Sequence, residues 1–107
     1  MSMLGRLSVP PSVKRGEPFA VRVIVQHPME TGFRRDYEGK VIPLHIVDRL
    51  VCRYGGRDVF RATLGSGIAA NPYLVFYVVA TESGPLEVEW EDDKGEVGKV
   101  SADVKVG

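Results

Sequence analysis

Cysteine is nearly absent from this chain. Of 107 residues only Cys52 carries a thiol, so no internal disulfide can staple the fold and an apolar core must hold it. Net charge is absent as well, because fourteen Lys and Arg offset fourteen Asp and Glu. A balanced chain lacks the one-signed field that nucleic acid demands. The Arg34-Arg35 doublet reads as a solvated loop rather than a basic patch, so no nucleic-acid partner is expected. Long hydrophobic runs are missing too. No stretch approaches the ~18 apolar residues of a membrane span, and MSMLGRLSVPPSVKRG holds no uninterrupted run of the ~7–15 apolar residues found in a secretory signal. Read alone, the chain is expected to be soluble and cytosolic, with no membrane contact. The GSG at 65–67 opens no helical pattern and matches no phosphate loop.

What the chain has in quantity is alternation. Forty-four per cent of its residues are hydrophobic, enough for a packed interior, and the length suits one domain over 1–107. In LEVEWED (86–92), Leu86, Val88 and Trp90 alternate with glutamates, as in a strand with one wet face. KVSADVKV (99–106) repeats the pattern, and DDKG (92–95) between them reads as a hairpin turn. FAVRVIVQ (19–26) is β-branched and strand-like. GRLSV (5–9) precedes Pro10-Pro11 and suits a short edge strand, since proline cannot continue a ladder. HIVDRLVCRY (45–54) also fits a helical stripe, but Gly55-Gly56 before RDVFRATL (57–64) is a two-residue hairpin signal. That hairpin predicts Cys52 opposite Val59 and Arg53 opposite Asp58.

YLVFYVVAT (73–81) is apolar on both faces. Tyr73, Val75, Tyr77 and Val79 lie on one side; Leu74, Phe76, Val78 and Ala80 lie on the other. Either this is a central strand covered twice, or its outer face meets another protein. Seven candidate strands, short turns and no convincing helix predict an all-β fold, an immunoglobulin-like β-sandwich of about seven antiparallel strands. The longest irregular stretches are 27–43 and 65–72, and long loops on a rigid sandwich are the usual seat of binding.

The reactive residues give little by themselves. His27, Met29, His45 and Cys52 are a donor set that could suit copper, but Cys52 in mid-strand points inward as a small hydrophobe, and no histidine follows it. For the same reason Cys52 has no activating base near it in sequence, so a thiol enzyme is not expected. Asp92-Asp93 falls in a turn, where Asp is favoured for local backbone hydrogen bonds. HPMETG (27–32) remains. Pro28 pushes His27 toward an extended conformation and Gly32 permits a sharp exit. Between them Met29 could offer an adaptable apolar contact and Glu30 a charge, or the segment could be an ordinary turn.

HPMETG (27–32), GKVIP with His45 two residues on, ANPYL (70–74) and W-x-D-D-x-G (90–95) occur in an order and spacing that resembles the SoxZ family over nearly the whole chain. The resemblance implies an immunoglobulin-like sandwich that forms a heterodimer with SoxY. SoxY carries a cysteine on a flexible Gly-rich C-terminal arm, to which thiosulfate-derived intermediates are attached, and the loaded carrier is shown in turn to sulfur-oxidising enzymes. By the same resemblance this chain is a non-catalytic subunit without metal or cofactor. It is periplasmic by co-export with SoxY, since it has no signal of its own. DVKVG (103–107) keeps a strand pattern without a cysteine, so Cys52 is not expected to bear substrate. Contact with SoxY or with visiting enzymes is then expected at His27, Met29, Glu30, Thr31, Asn71 and Pro72 in the two loops, and at Tyr73, Val75, Tyr77 and Val79 on the strand. Without SoxY the same apolar strand is expected to drive a homodimer. The rival expectation is a free-standing sandwich that binds a small ligand or metal.

Overall fold

A computed structural model describes residues 4–65, 67–68 and 70–107. Ser66 and Ala69, inside the 65–72 loop read from the sequence, lie outside the described residues. Among the described residues there are seven strands and no helix: β1 (Gly5–Ser8), β2 (Pro18–Val25), β3 (Val47–Tyr54), β4 (Arg57–Thr63), β5 (Tyr73–Val79), β6 (Gly84–Asp92) and β7 (Val97–Val104). They form a three-stranded sheet, β1-β2-β5, and a four-stranded sheet, β4-β3-β6-β7. Every ladder is antiparallel. The immunoglobulin-like sandwich expected from period-two patterning is the fold observed.

The alternation decides which side chains enter the core. Val21, Val23 and Val25 of β2 and Phe76 and Val78 of β5 face Leu50, Cys52, Leu86, Val88 and Trp90 of the other sheet's strands, all within one buried cluster. Trp90 is the largest of these fully buried side chains. Its indole lies over Gly98, where an added Cβ would fall 2.3 Å from Cε2. Glycine at 98 is therefore a packing requirement. At the other end of β3, the buried Tyr54 hydroxyl donates to Glu82 O and accepts the N–H groups of Thr81 and Glu82 at 3.1 and 3.0 Å. That satisfies a buried polar group and ties β3 to the β5–β6 connection.

The hairpin at Gly55-Gly56 forms as expected, with φ of 61° and 77° at the two glycines, as a two-residue turn of this hand requires. Its register is only half as expected. Arg53 pairs with Asp58, but Cys52 pairs with Phe60, not Val59, because a bulge falls between Cys52 and Arg53. One extra residue on the β4 side is absorbed there.

The outer faces of the two sheets differ in character. On the four-stranded sheet Arg53 reaches Asp58 at 3.2 Å, Glu87 at 3.6 Å and Glu89 at 3.7 Å, while Lys99 reaches Glu87 at 3.7 Å. Arg49 pairs with Glu91 on the same face. Such exposed pairs add little stability, but they keep that face wet. On the three-stranded sheet the rows run Arg6–Ile24–Tyr73, Ser8–Arg22–Val75, Ala20–Tyr77 and Pro18–Val79. Tyr73, Val75, Tyr77 and Val79 are all exposed, Tyr77 by 69 %. β5 is an edge strand, so the alternative of a central strand covered on both sides does not hold. No helix is long and apolar enough to cross a membrane.

Candidate functional site

Three connections meet at one end of the sandwich: the segment after β2, the segment before β5, and the β6–β7 turn. Their anchors are backbone groups paired with the side chains of Asn71 and Asp93. His27 N–H donates to Asn71 Oδ1 at 3.0 Å and Asn71 N–H to His27 O at 2.8 Å, which joins HPMETG to ANPYL. Ile46 N–H donates to Asp93 Oδ1 at 2.9 Å and Asp93 N–H to Ile46 O at 2.9 Å, which joins the start of β3 to the β6–β7 turn. Met29 and Asn71 both hold φ near +51°, an uncommon left-handed conformation for residues with side chains. Met29 keeps it because its side chain is buried and its sulfur accepts the Val47 N–H at 3.3 Å.

At the centre is Asp92. It is 2 % exposed. Its Oδ1 accepts the N–H groups of Lys94 and Glu96, both at 2.9 Å, and its Oδ2 accepts from His45 Nε2 at 2.8 Å. His27 Nε2, also buried, lies 3.5 Å from the same Oδ2 and has no closer partner. The two imidazoles meet edge to face with centroids 4.3 Å apart. Burial by itself would raise the Asp92 pKa. The donors from His45, Glu96, Lys94 and His27 together outweigh that and hold it below the usual carboxylate range. His27 goes the other way: burial, then the neighbouring His45, lowers its pKa, with Asp92 opposing.

Met29 N–H donates to His27 Nδ1 at 3.0 Å. That hydrogen bond fixes the tautomer of the neutral ring, because Nδ1 must offer its lone pair and the proton then sits on Nε2, toward Asp92. The consequence bears on metals. His27, His45 and Asp92 bring one donor atom each to within 4.8 Å of one another, a span a cation could bridge. A ligating imidazole, however, needs its lone pair on the ligating nitrogen and commonly donates from the other one. His27 has the reverse arrangement. Met29 sulfur is engaged by Val47, and Cys52, 0 % exposed, sits in the core with its thiol pKa pushed up to about 12 by burial. The donor set does not fit a resident metal, and Cys52 does not fit a nucleophile.

The residues read from the sequence therefore separate into groups. His27, Met29 and Pro72 are buried, so their side chains lie beneath the surface of the site. Met29 in particular is core, because the left-handed backbone at 29 turns it inward. Glu30 is held by Arg34 through two hydrogen bonds of 3.0 and 2.6 Å, and the Thr31 hydroxyl accepts the Phe33 N–H at 3.1 Å. Asn71 is exposed and braces His27, while Tyr73, Val75, Tyr77 and Val79 stay open on the sheet.

The turn reading of Asp92 holds for Oδ1, which accepts the Lys94 and Glu96 N–H groups; what it leaves out is Oδ2 on the two histidines, for which the inward phase of W-x-D with Trp90 was the signal. Overlapping the irregular stretch read from the sequence, residues 30–45 form an irregular hairpin pinned by Glu30–His45 and Arg35–Val41 bridges. It carries Phe33 at 87 % exposure and Tyr37 at 100 %, with Val41 and Leu44 also exposed. Aromatics in an otherwise polar irregular stretch were the available signal.

The fold class is an immunoglobulin-like sandwich shared with a superoxide reductase (neelaredoxin) variant from Ignicoccus hospitalis, at TM-score 0.73, 21 % identity, and coverage of 99 % of this chain and 82 % of that one. A putative superoxide reductase from Thermotoga maritima gives TM-score 0.72 at 16 % identity, covering 96 % and 85 %. The sulfur carrier protein SoxY from Chlorobium limicola f thiosulfatophilum gives 0.63 at 13 %, covering 96 % and 78 %. At these identities the likeness is one of fold. No match among curated protein sequences is significant. The model of the family described as sulphur oxidation protein SoxZ matches residues 7–103. The chain belongs to the SoxZ family, and so to the proteins of sulfur oxidation.

Proposed function

We propose that this chain is the non-catalytic half of a sulfur carrier pair. It binds a SoxY-like protein as a heterodimer and helps display that partner's cysteine-bound, thiosulfate-derived intermediates to sulfur-oxidising enzymes, which touch it only in passing. The observation that carries this reading is the contrast between the two sheet faces. One is laced with ion pairs; the other leaves Ile24, Tyr73, Val75, Tyr77 and Val79 uncovered. Covering each of these half-exposed side chains is worth roughly 1–2 kcal/mol, so together they can offset the cost of association. The inertness of Cys52 agrees with reactivity residing on the partner. Export with SoxY to the periplasm belongs to the same reading.

Co-expression with a SoxY-like protein tests it. A one-to-one complex should co-purify, and the chain alone should oxidise no thiosulfate. Failure to associate at micromolar concentrations, or turnover by the isolated chain, would refute the reading.

A further inference from the structure

His45 is the one imidazole of the pair that reaches solvent, with its side chain 22 % exposed. Its Nε2 is tied to Asp92 Oδ2 at 2.8 Å. An ionised carboxylate that already accepts from two backbone N–H groups can only accept here, so the proton of the neutral ring sits on Nε2. Nδ1 then carries the lone pair, and it has no hydrogen-bond partner among the described residues. The carboxylate holds the ring and selects its tautomer, as in other carboxylate–imidazole pairs. A neutral ring in this state accepts a hydrogen bond at Nδ1, so it suits a proton donor and does not suit an anion. His45 also stands at the root of the 30–45 segment, whose Phe33, Tyr37, Val41 and Leu44 are exposed. Another chain that covered those side chains would bring its own groups to the imidazole.

We propose that His45 Nδ1 accepts the proton of a thiol carried by a partner chain, with Asp92 as the positioning residue. This rests on the carrier-pair reading above. Sulfur chemistry needs a thiolate, and the buried Cys52 of this chain cannot supply one. In the step the partner's S–H bond breaks and an N–H bond forms at Nδ1. The products are a thiolate and an imidazolium, whose charge faces Asp92 through Nε2–H, and no electrons are gained or lost. The other charged or titratable groups around His45 are His27, whose pKa is lowered by burial, Asp93 on the turn, and Glu30, whose charge is matched by Arg34.

The test uses the co-purified pair and follows alkylation of the partner's thiol by iodoacetamide, read by intact mass between about pH 5 and pH 9. His45→Gln keeps a donor for Asp92 but has no lone-pair nitrogen. The pair should still form, and the alkylation profile should move up by about one pH unit, which is about tenfold slower on its rising limb. Asp92→Asn, whose amide donates toward His45, should push the ring proton to Nδ1 and give the same shift. Nitrogen NMR of the wild-type ring should find the proton on Nε2. Superimposable profiles in intact wild-type and His45→Gln pairs would overturn the proposal, as would an Nδ1–H tautomer. Hydrosulfide added to the isolated chain separates a small-molecule source. If it perturbs His45 while partner alkylation is indifferent to His45→Gln, the thiol does not come from a chain and the proposal fails. If no pair forms, the carrier reading fails first and this inference with it.

Discussion

Replacing Asp92 by alanine should cost about 2–4 kcal/mol of stability, the order expected for stranding two neutral imidazole donors, one buried and one half-buried. The figure follows from what the carboxylate satisfies. Alanine removes the acceptor for Lys94 N–H, Glu96 N–H and His45 Nε2, at 2.9, 2.9 and 2.8 Å, and the nearest acceptor for His27 Nε2. A stranded buried donor costs about 1–3 kcal/mol. The two turn amides regain water easily because Asp93, Lys94 and Gly95 are exposed, so most of the loss comes from the two histidines. Asp92→Asn should cost less, about 1–3 kcal/mol. Its carbonyl still serves the turn amides and His45 can shift its proton, but His27 cannot, because Met29 N–H occupies Nδ1. Urea unfolding at constant m-value reads both numbers. The pH dependence has a definite sign. Asp92 is depressed in the folded state, so its contribution is complete above the unfolded value of about 4 and fades as pH falls through the folded value. The gap between wild type and Asp92→Ala should narrow below about pH 4. An alanine variant within about 0.5 kcal/mol of wild type near neutral pH would show that Asp92 is an ordinary surface turn residue.

Other outcomes follow from the same geometry. Gly98→Ala drives a methyl into the Trp90 indole and should destabilise by about 1–3 kcal/mol, with a change in tryptophan fluorescence. Cys52 should resist a thiol reagent at about pH 8 in the native chain and react stoichiometrically in denaturant; fast native labelling would contradict its place in the core. His27 has a lowered pKa, so its contribution is complete above the unfolded value of about 6.5 and is lost as pH falls toward the folded value. Stability of wild type should decline below about pH 6.5, and His27→Gln should flatten that segment. Val75→Asp should abolish self-association of the isolated chain in light scattering while unfolding stays within about 0.5 kcal/mol of wild type, since the side chain faces outward.

β6 and β7 were legible in the sequence because their sheet has one wet face, which period-two alternation reports directly; β5, apolar on both faces, was legible from its β-branched and aromatic run, and β3 from the glycine turn that follows it. The Gly55-Gly56 turn was legible for the same reason that it forms: two left-handed residues in succession. The Cys52–Phe60 register was not, since a bulge leaves no composition signal. The site was half legible. HPMETG and ANPYL stood out as loops and do meet, through His27 and Asn71. What could not be read was the direction of each side chain. Met29 turns inward with a left-handed backbone that its residue type does not announce, and the two imidazoles that meet Asp92 come from segments distant in sequence.

Hydrogen exchange on the co-purified pair addresses the outer face of the three-stranded sheet most directly. Amides of β5 (Tyr73–Val79) should exchange markedly slower in the pair than in the isolated chain diluted until it is monomeric, while β7 and the ion-paired face of β3 and β6 keep their rates. Slowing confined to the charged sheet, with β5 unchanged, would mean that the partner sits elsewhere and that the exposed tyrosines and valines serve another purpose.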